Sequence, residues 1–188
     1  MAHPWVVLLN GPSSSGKSTL AKALQALIAE RLSERYEVVS IDDFMKTDPM
    51  ETIYEDDVFE ISGDLCKHVS ELLAEGAGVI IDHVITSERI FRQLQESLYP
   101  DPLFLVQVTC PLEILRQREL ERGDRCPGSA ESSAAYLYPK EGYDMTVDTG
   151  RMSPAENSLL IFGRLFPNPS LGSSGRLTAD SRRKPGRS

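Results

Sequence analysis

The octapeptide GPSSSGKS, Gly11 to Ser18, constrains this chain more than any other stretch. It follows the apolar run VVLLN and leads straight into TLAKALQALI, where Leu20, Leu24, Leu27 and Ile28 recur at helical spacing. Strand, glycine-bounded loop and helix, in that order, make a phosphate cradle of the pattern G-x-x-x-x-G-K-[ST]. The glycines permit backbone turns that let successive N–H groups converge on an anion. The expected phosphate-binding residues are therefore Gly11, Ser13, Ser14, Ser15, Gly16, Lys17, Ser18 and Thr19. Lys17 sets a point charge against the β and γ oxygens, and the Ser18 hydroxyl is placed to ligate Mg²⁺. The positive end of the following helix dipole aims at the same anion.

Four more apolar runs follow the first, WVVLLN: YEVVSID, GVIIDHV, LFLVQVTC and MTVDT. Helical patterns over residues 18–34 and 64–75, and in SERIFRQLQESL and PLEILRQRELER, separate them, with Pro111 expected in a first turn. A weaker helix, SPAENSLLIFGRLF, closes the pattern near residue 166. Alternating strands and helices predict an α/β domain over residues 1–166: a five-stranded parallel sheet with helices on both faces, three layers in all. Residues 167–188 are rich in Pro, Gly and Ser, basic at the end and without apolar period, so by composition they read as a disordered tail.

A formal net charge of −8 opposes broad binding to nucleic acid or anionic membranes. The three cysteines, Cys66, Cys110 and Cys126, show no zinc or disulfide spacing, and WVVLL is too short to span a bilayer, so a reducing cytoplasm is the expected setting. The oligomeric state is left open.

An N-K-x-D guanine reader is absent, which removes the GTPase class and leaves kinases and other ATPases. In an open parallel sheet, ligands sit beyond the carboxyl ends of the strands. Asp42 and Asp43 end the second run and Asp82 the third, so all three are expected to border one crevice with the phosphate loop. For transfer of a phosphoryl group to a hydroxyl, Asp42 is the first choice of base and Asp43 its rival, because only one of two neighbours on a strand faces a given side. Asp82 suits Mg²⁺ or its water shell, or else the acceptor. His83 reads as a structural residue with a second reading as a substrate contact. In RQRELERGDR, Arg116, Arg118, Arg122 and Arg125 lie where a helix breaks at Gly123, a place for a lid that closes cationic groups over a triphosphate. Glu119 and Glu121 read as exposed charge partners of that helix, Arg116 among them.

Taken together, NGPSSSGKSTLAKALQ, SIDDF, VIIDHV, CPLEILRQRELERGDRCPG and YDMTVDTGRMSPAE resemble the chloramphenicol phosphotransferase-like proteins, a family of P-loop kinases. The resemblance covers most of residues 5–165. It implies an α/β kinase fold with an arginine-bearing lid, ATP with Mg²⁺, and transfer of the γ-phosphate to a hydroxyl of a small molecule, chloramphenicol being the founding substrate. By resemblance the base is Asp42 and the lid arginines are Arg122 and Arg125. The segment KTDPMETIYEDDVFEISGD, which in the family helps form the acceptor pocket, is compact and acidic. Its charge disfavours an anionic acceptor and favours a neutral or cationic one. Two alternatives stand beside this reading: a kinase for a nucleotide sugar or nucleoside, and a non-catalytic ATP-binding interaction protein.

Overall fold

The computed structural model describes residues 6–45, 54–123 and 126–167. Five strands, β1 (Val6–Asn10), β2 (Tyr36–Ser40), β3 (Gly78–His83), β4 (Leu103–Thr109) and β5 (Met145–Asp148), form one parallel sheet in the order β2-β3-β1-β4-β5. The first strand is thus central, and the chain moves to opposite sides of it for β3 and β4. A crevice opens beyond strand ends at such a switch point.

Around the sheet stand α1 (Lys17–Leu32), α2 (Glu55–Ala74), α3 (Glu88–Leu98), α4 (Leu112–Arg122), α5 (Ser129–Tyr136) and α6 (Pro154–Leu165). Alternate side chains of each strand enter different cores, as period-2 geometry requires. Val6, Leu8, Val79 and Ile81 pack with Leu65 and Val69 of α2 and Ile90 and Leu94 of α3. Val7, Leu9, Ile80 and Val106 pack on the other face with Leu20 and Leu24 of α1 and Ile161 and Phe162 of α6. These three layers are the architecture expected from the sequence.

Several boundaries differ for physical reasons. Helix α2 begins at Glu55 rather than near residue 64, so half of the acidic segment is helical. Its first turn holds Glu55, Asp56 and Asp57, which suit the positive helix end but hide the apolar period. Helix α5 was not expected, because SAESSAAY buries Ala130 alone and carries no amphipathic signal. Pro111 sits at the N-cap of α4 with extended backbone (φ −54°, ψ 140°), one step outside the helix. Strand β2 ends at Ser40, and Ile41–Phe44 form a 3-10 turn, so the alternation argument for Asp42 and Asp43 does not apply. The proposed tail lies outside the described residues, apart from Pro167. Among the described residues, no helix is long and apolar enough to cross a membrane.

Candidate active site

Strand β1 is wholly buried and delivers the chain to the centre of the sheet's carboxyl edge, where residues 11–16 turn into α1. A Cβ on Gly11 would lie 2.3 Å from the Val108 carbonyl oxygen, so only glycine lets the loop leave β1 this close to β4. Gly16 takes φ +86° as the N-cap of α1, a left-handed conformation that glycine adopts without a Cβ clash. Between them Ser14 is also left-handed, at φ +62°. Lys17 is buried and folds back over the loop, its Nζ donating to the Pro12 carbonyl at 2.9 Å. The Ser14 hydroxyl is buried in the cleft lining and makes no hydrogen bond to protein, which suits a cradle for an acceptor-rich anion, whereas the Ser15 hydroxyl is buried beside Gly11 and Ser15 does not line the cleft.

Asp82 stands on β3 opposite Leu9 in the register and so beside the root of the loop. Its Oδ2 accepts from the Ser18 hydroxyl at 2.5 Å, and its Oδ1 lies 3.8 Å from Lys17 Nζ, with both side chains 6% exposed. Among the described residues no cluster of three or more His, Cys, Asp or Glu could form a cation cage. A hydroxyl and one carboxylate beside a phosphate cradle are the sparse donor set that Mg²⁺ uses, taking its remaining oxygens from phosphate and water.

The 3-10 turn separates the roles of two adjacent acids. Asp43 turns back to cap its own segment, its Oδ2 accepting from Ser40 N at 3.4 Å. Asp42 lines the cleft with Ser13, Lys17 and Asp82. His83, the next residue of β3, is fully buried, with Nε2 3.0 Å from Ser62 Oγ on α2. Burial pushes its pKa down to about 4, aided by the charge on Lys17 and opposed by the Val84 backbone and Asp42. It is a neutral ring in the floor of the cleft.

The cleft encloses about 1270 Å³, more than the roughly 300–1,000 Å³ of a pocket for one small ligand. Its lining includes Arg118, Thr149 and Pro154, and also Met45, Glu55, Val58 and Tyr136. Arg122 lines it from the end of α4, whereas Arg125 lies outside the described residues. Asp48 and Glu51 of the acidic segment also lie outside them.

Arg118 was legible only as one of four arginines, and its guanidinium is fixed against the phosphate loop. Its guanidinium donates to Thr149 O at 2.9 Å, to Thr149 Oγ1 at 3.3 Å and to Ser15 O at 3.5 Å. Glu119 is not a partner of Arg116, which pairs instead with Glu131 at 2.8 Å. Glu119 is buried at the N-terminus of α5, where it accepts from Gly128 N at 2.9 Å and Ala130 N at 2.7 Å. Asn10, buried at the end of β1, donates to Tyr138 O and Tyr143 OH and accepts from Ile85 N, lacing three segments below the cleft.

The family model described as "Chloramphenicol phosphotransferase-like protein" matches residues 5–165. A Mycobacterium tuberculosis protein provisionally named an O-phosphotransferase is 28% identical over 167 residues, covering 77% of this chain and 74% of the relative. The fold resembles that of the M. tuberculosis APS kinase in complex with AMPPNP and APS (TM-score 0.70, 18% identity, 88% of this chain and 99% of that one). It also resembles a gluconokinase from Sinorhizobium meliloti (TM-score 0.65, 19% identity, 88% and 95%). The chain belongs to the chloramphenicol phosphotransferase-like family.

Proposed function

We propose that this member of the family is an ATP-dependent O-phosphotransferase that moves the γ-phosphoryl group of ATP to a hydroxyl of a small neutral or cationic molecule, with chloramphenicol and related antibiotics the first acceptors to try. The observation that carries the reading is the meeting of three strand ends in one cleft: the phosphate loop after β1, Asp82 on β3 and Asp42 after β2. The volume accommodates a nucleotide and an acceptor together.

In this reading the loop amides and the Ser14 hydroxyl hold the β- and γ-phosphates, and Lys17 neutralises charge as it moves toward the β–γ bridge. Ser18 and Asp82 would hold Mg²⁺, which screens the phosphate oxygens from the attacking group. Asp42 accepts the acceptor's hydroxyl proton. The acceptor oxygen then bonds to the γ-phosphorus as the bond to the bridging oxygen breaks, releasing ADP. Arg118 and Arg122 flank the cleft where they can add positive charge, and Arg125 joins them by the family resemblance. Glu55 and Glu121 on the cleft wall disfavour an anionic acceptor.

The test is ADP release from Mg·ATP across neutral, cationic and anionic hydroxyl compounds including chloramphenicol, with Lys17→Ala as blank. Acceptor-dependent ADP that vanishes in the variant, together with a phosphorylated product, supports the proposal. A nucleotide sugar or nucleoside as sole acceptor would replace the acceptor class. Nucleotide binding without stimulation by any compound would favour an ATP-responsive interaction protein.

A further inference from the structure

We infer that Ser133 on α5 is a positioning residue that sets the shape of the phosphate loop. The loop is tethered on both sides of its strained residue. At one side, Ser15 O accepts from Thr149 Oγ1 at 2.5 Å, with Arg118 beside it. At the other, Ser13 N donates to Ser133 Oγ at 2.9 Å, across 120 residues of sequence. Ser14 lies between the two tethers at φ +62°, a conformation that an L-residue holds only when its surroundings impose it.

The hydroxyl inventory fixes the direction of this contact. Ser133 has one hydroxyl proton, which goes to Ala130 O at 3.1 Å within its own helix, leaving its lone pairs to receive the Ser13 amide. The tether is anchored as well as formed. Glu119 holds the first turn of α5 through the Gly128 and Ala130 amides, and Arg116 holds Glu131 from the side. Ser133 therefore presents its oxygen from a helix that α4 fixes in place. One loop amide is committed to α5 and the Ser15 amide to Pro12 O at 3.3 Å within the loop, so the loop's shape is set before an anion arrives. Such pre-setting strengthens binding by removing an ordering cost that the ligand would otherwise bear.

The ligand half of this inference rests on the nucleotide-binding reading above; the tether itself does not. Two measurements on the full chain separate them. The first is amide hydrogen exchange at Ser13 without ligand, in wild type, Ser133→Thr and Ser133→Val, which differ in the presence of the oxygen at nearly constant shape. The second is the Kd for AMPPNP with Mg²⁺ in the same proteins. Exchange at Ser13 should quicken about three- to tenfold in Ser133→Val, and the Kd should weaken by a similar factor, the loss of one hydrogen bond, with Ser133→Thr restoring both. Ser133→Ala, favourable in a helix, serves if valine disturbs α5. Unchanged exchange in a folded variant overturns the inference, as does changed exchange with unchanged Kd. If wild type fails to bind AMPPNP, the proposed function falls while the exchange result still decides the tether.

Discussion

Replacing Glu119 by glutamine separates two descriptions of one residue: a solvated charge on α4, or a buried clamp on α5. The carboxylate is 7% exposed and receives two backbone N–H groups, at 2.7 Å and 2.9 Å. A glutamine keeps one acceptor oxygen and turns an NH₂ toward the second donor, so one charge-assisted hydrogen bond is lost, about 1.5–3 kcal/mol. Removing the negative charge from the start of α5 adds about 0.3–1 kcal/mol. The sum is about 2–4 kcal/mol. For a chain of this size each kcal/mol lowers Tm by roughly 2–4 °C, so a drop of roughly 4–16 °C is expected if α5 melts with the whole domain. If α5 melts locally, tryptic cleavage after Arg122 or Arg125 should quicken instead. The comparison is Glu131→Gln, which breaks an exposed, solvent-screened pair at 2.8 Å and should move Tm far less. Equal effects of the two substitutions on both Tm and cleavage would refute the clamp.

Two further outcomes follow from the cleft. His83 has a folded pKa near 4, below the unfolded value of about 6.5, so the unfolded chain binds the extra proton between those values. Stability from this group is full above about pH 6.5 and is lost as the pH falls toward 4, at up to about 1.4 kcal/mol per pH unit. Denaturant unfolding at several pH values should show that slope reduced in His83→Gln, and an identical slope would exclude His83 as its source. Asp82→Asn removes the carboxylate that accepts from Ser18 and faces Lys17 at 3.8 Å. The Mg²⁺ concentration for half-maximal ADP formation should rise about tenfold or more, and an unmoved midpoint would take Asp82 away from the cation.

The parts legible in the sequence were those with a local code. The P-loop spacing and the five apolar runs located the sheet, its layers and the cradle, because strand periodicity and glycine-bounded turns are properties of neighbours in sequence. Asp42 and Asp82 were placed in one crevice by the strand-end rule, although the 3-10 turn, and not strand alternation, is what turns Asp43 away. The missed features depend on distant partners. Arg118 resembles Arg116 in sequence, and only the approach of Thr149 and Ser15 distinguishes it. Glu119 has the ordinary spacing of a surface acid, and its burial follows from α5, a helix whose small polar residues give no amphipathic signal. Ser133 is one serine among several, and its role comes from a contact with the amide of Ser13.

The most direct test of the account is acceptor-dependent ADP release by Asp42→Asn beside wild type, with AMPPNP affinity measured on both. Turnover should fall by about 10²–10⁴-fold, the contribution of a positioned general base, while affinity stays within about threefold. Turnover retained in a folded Asp42→Asn protein would contradict it and move the proton to another group in the cleft.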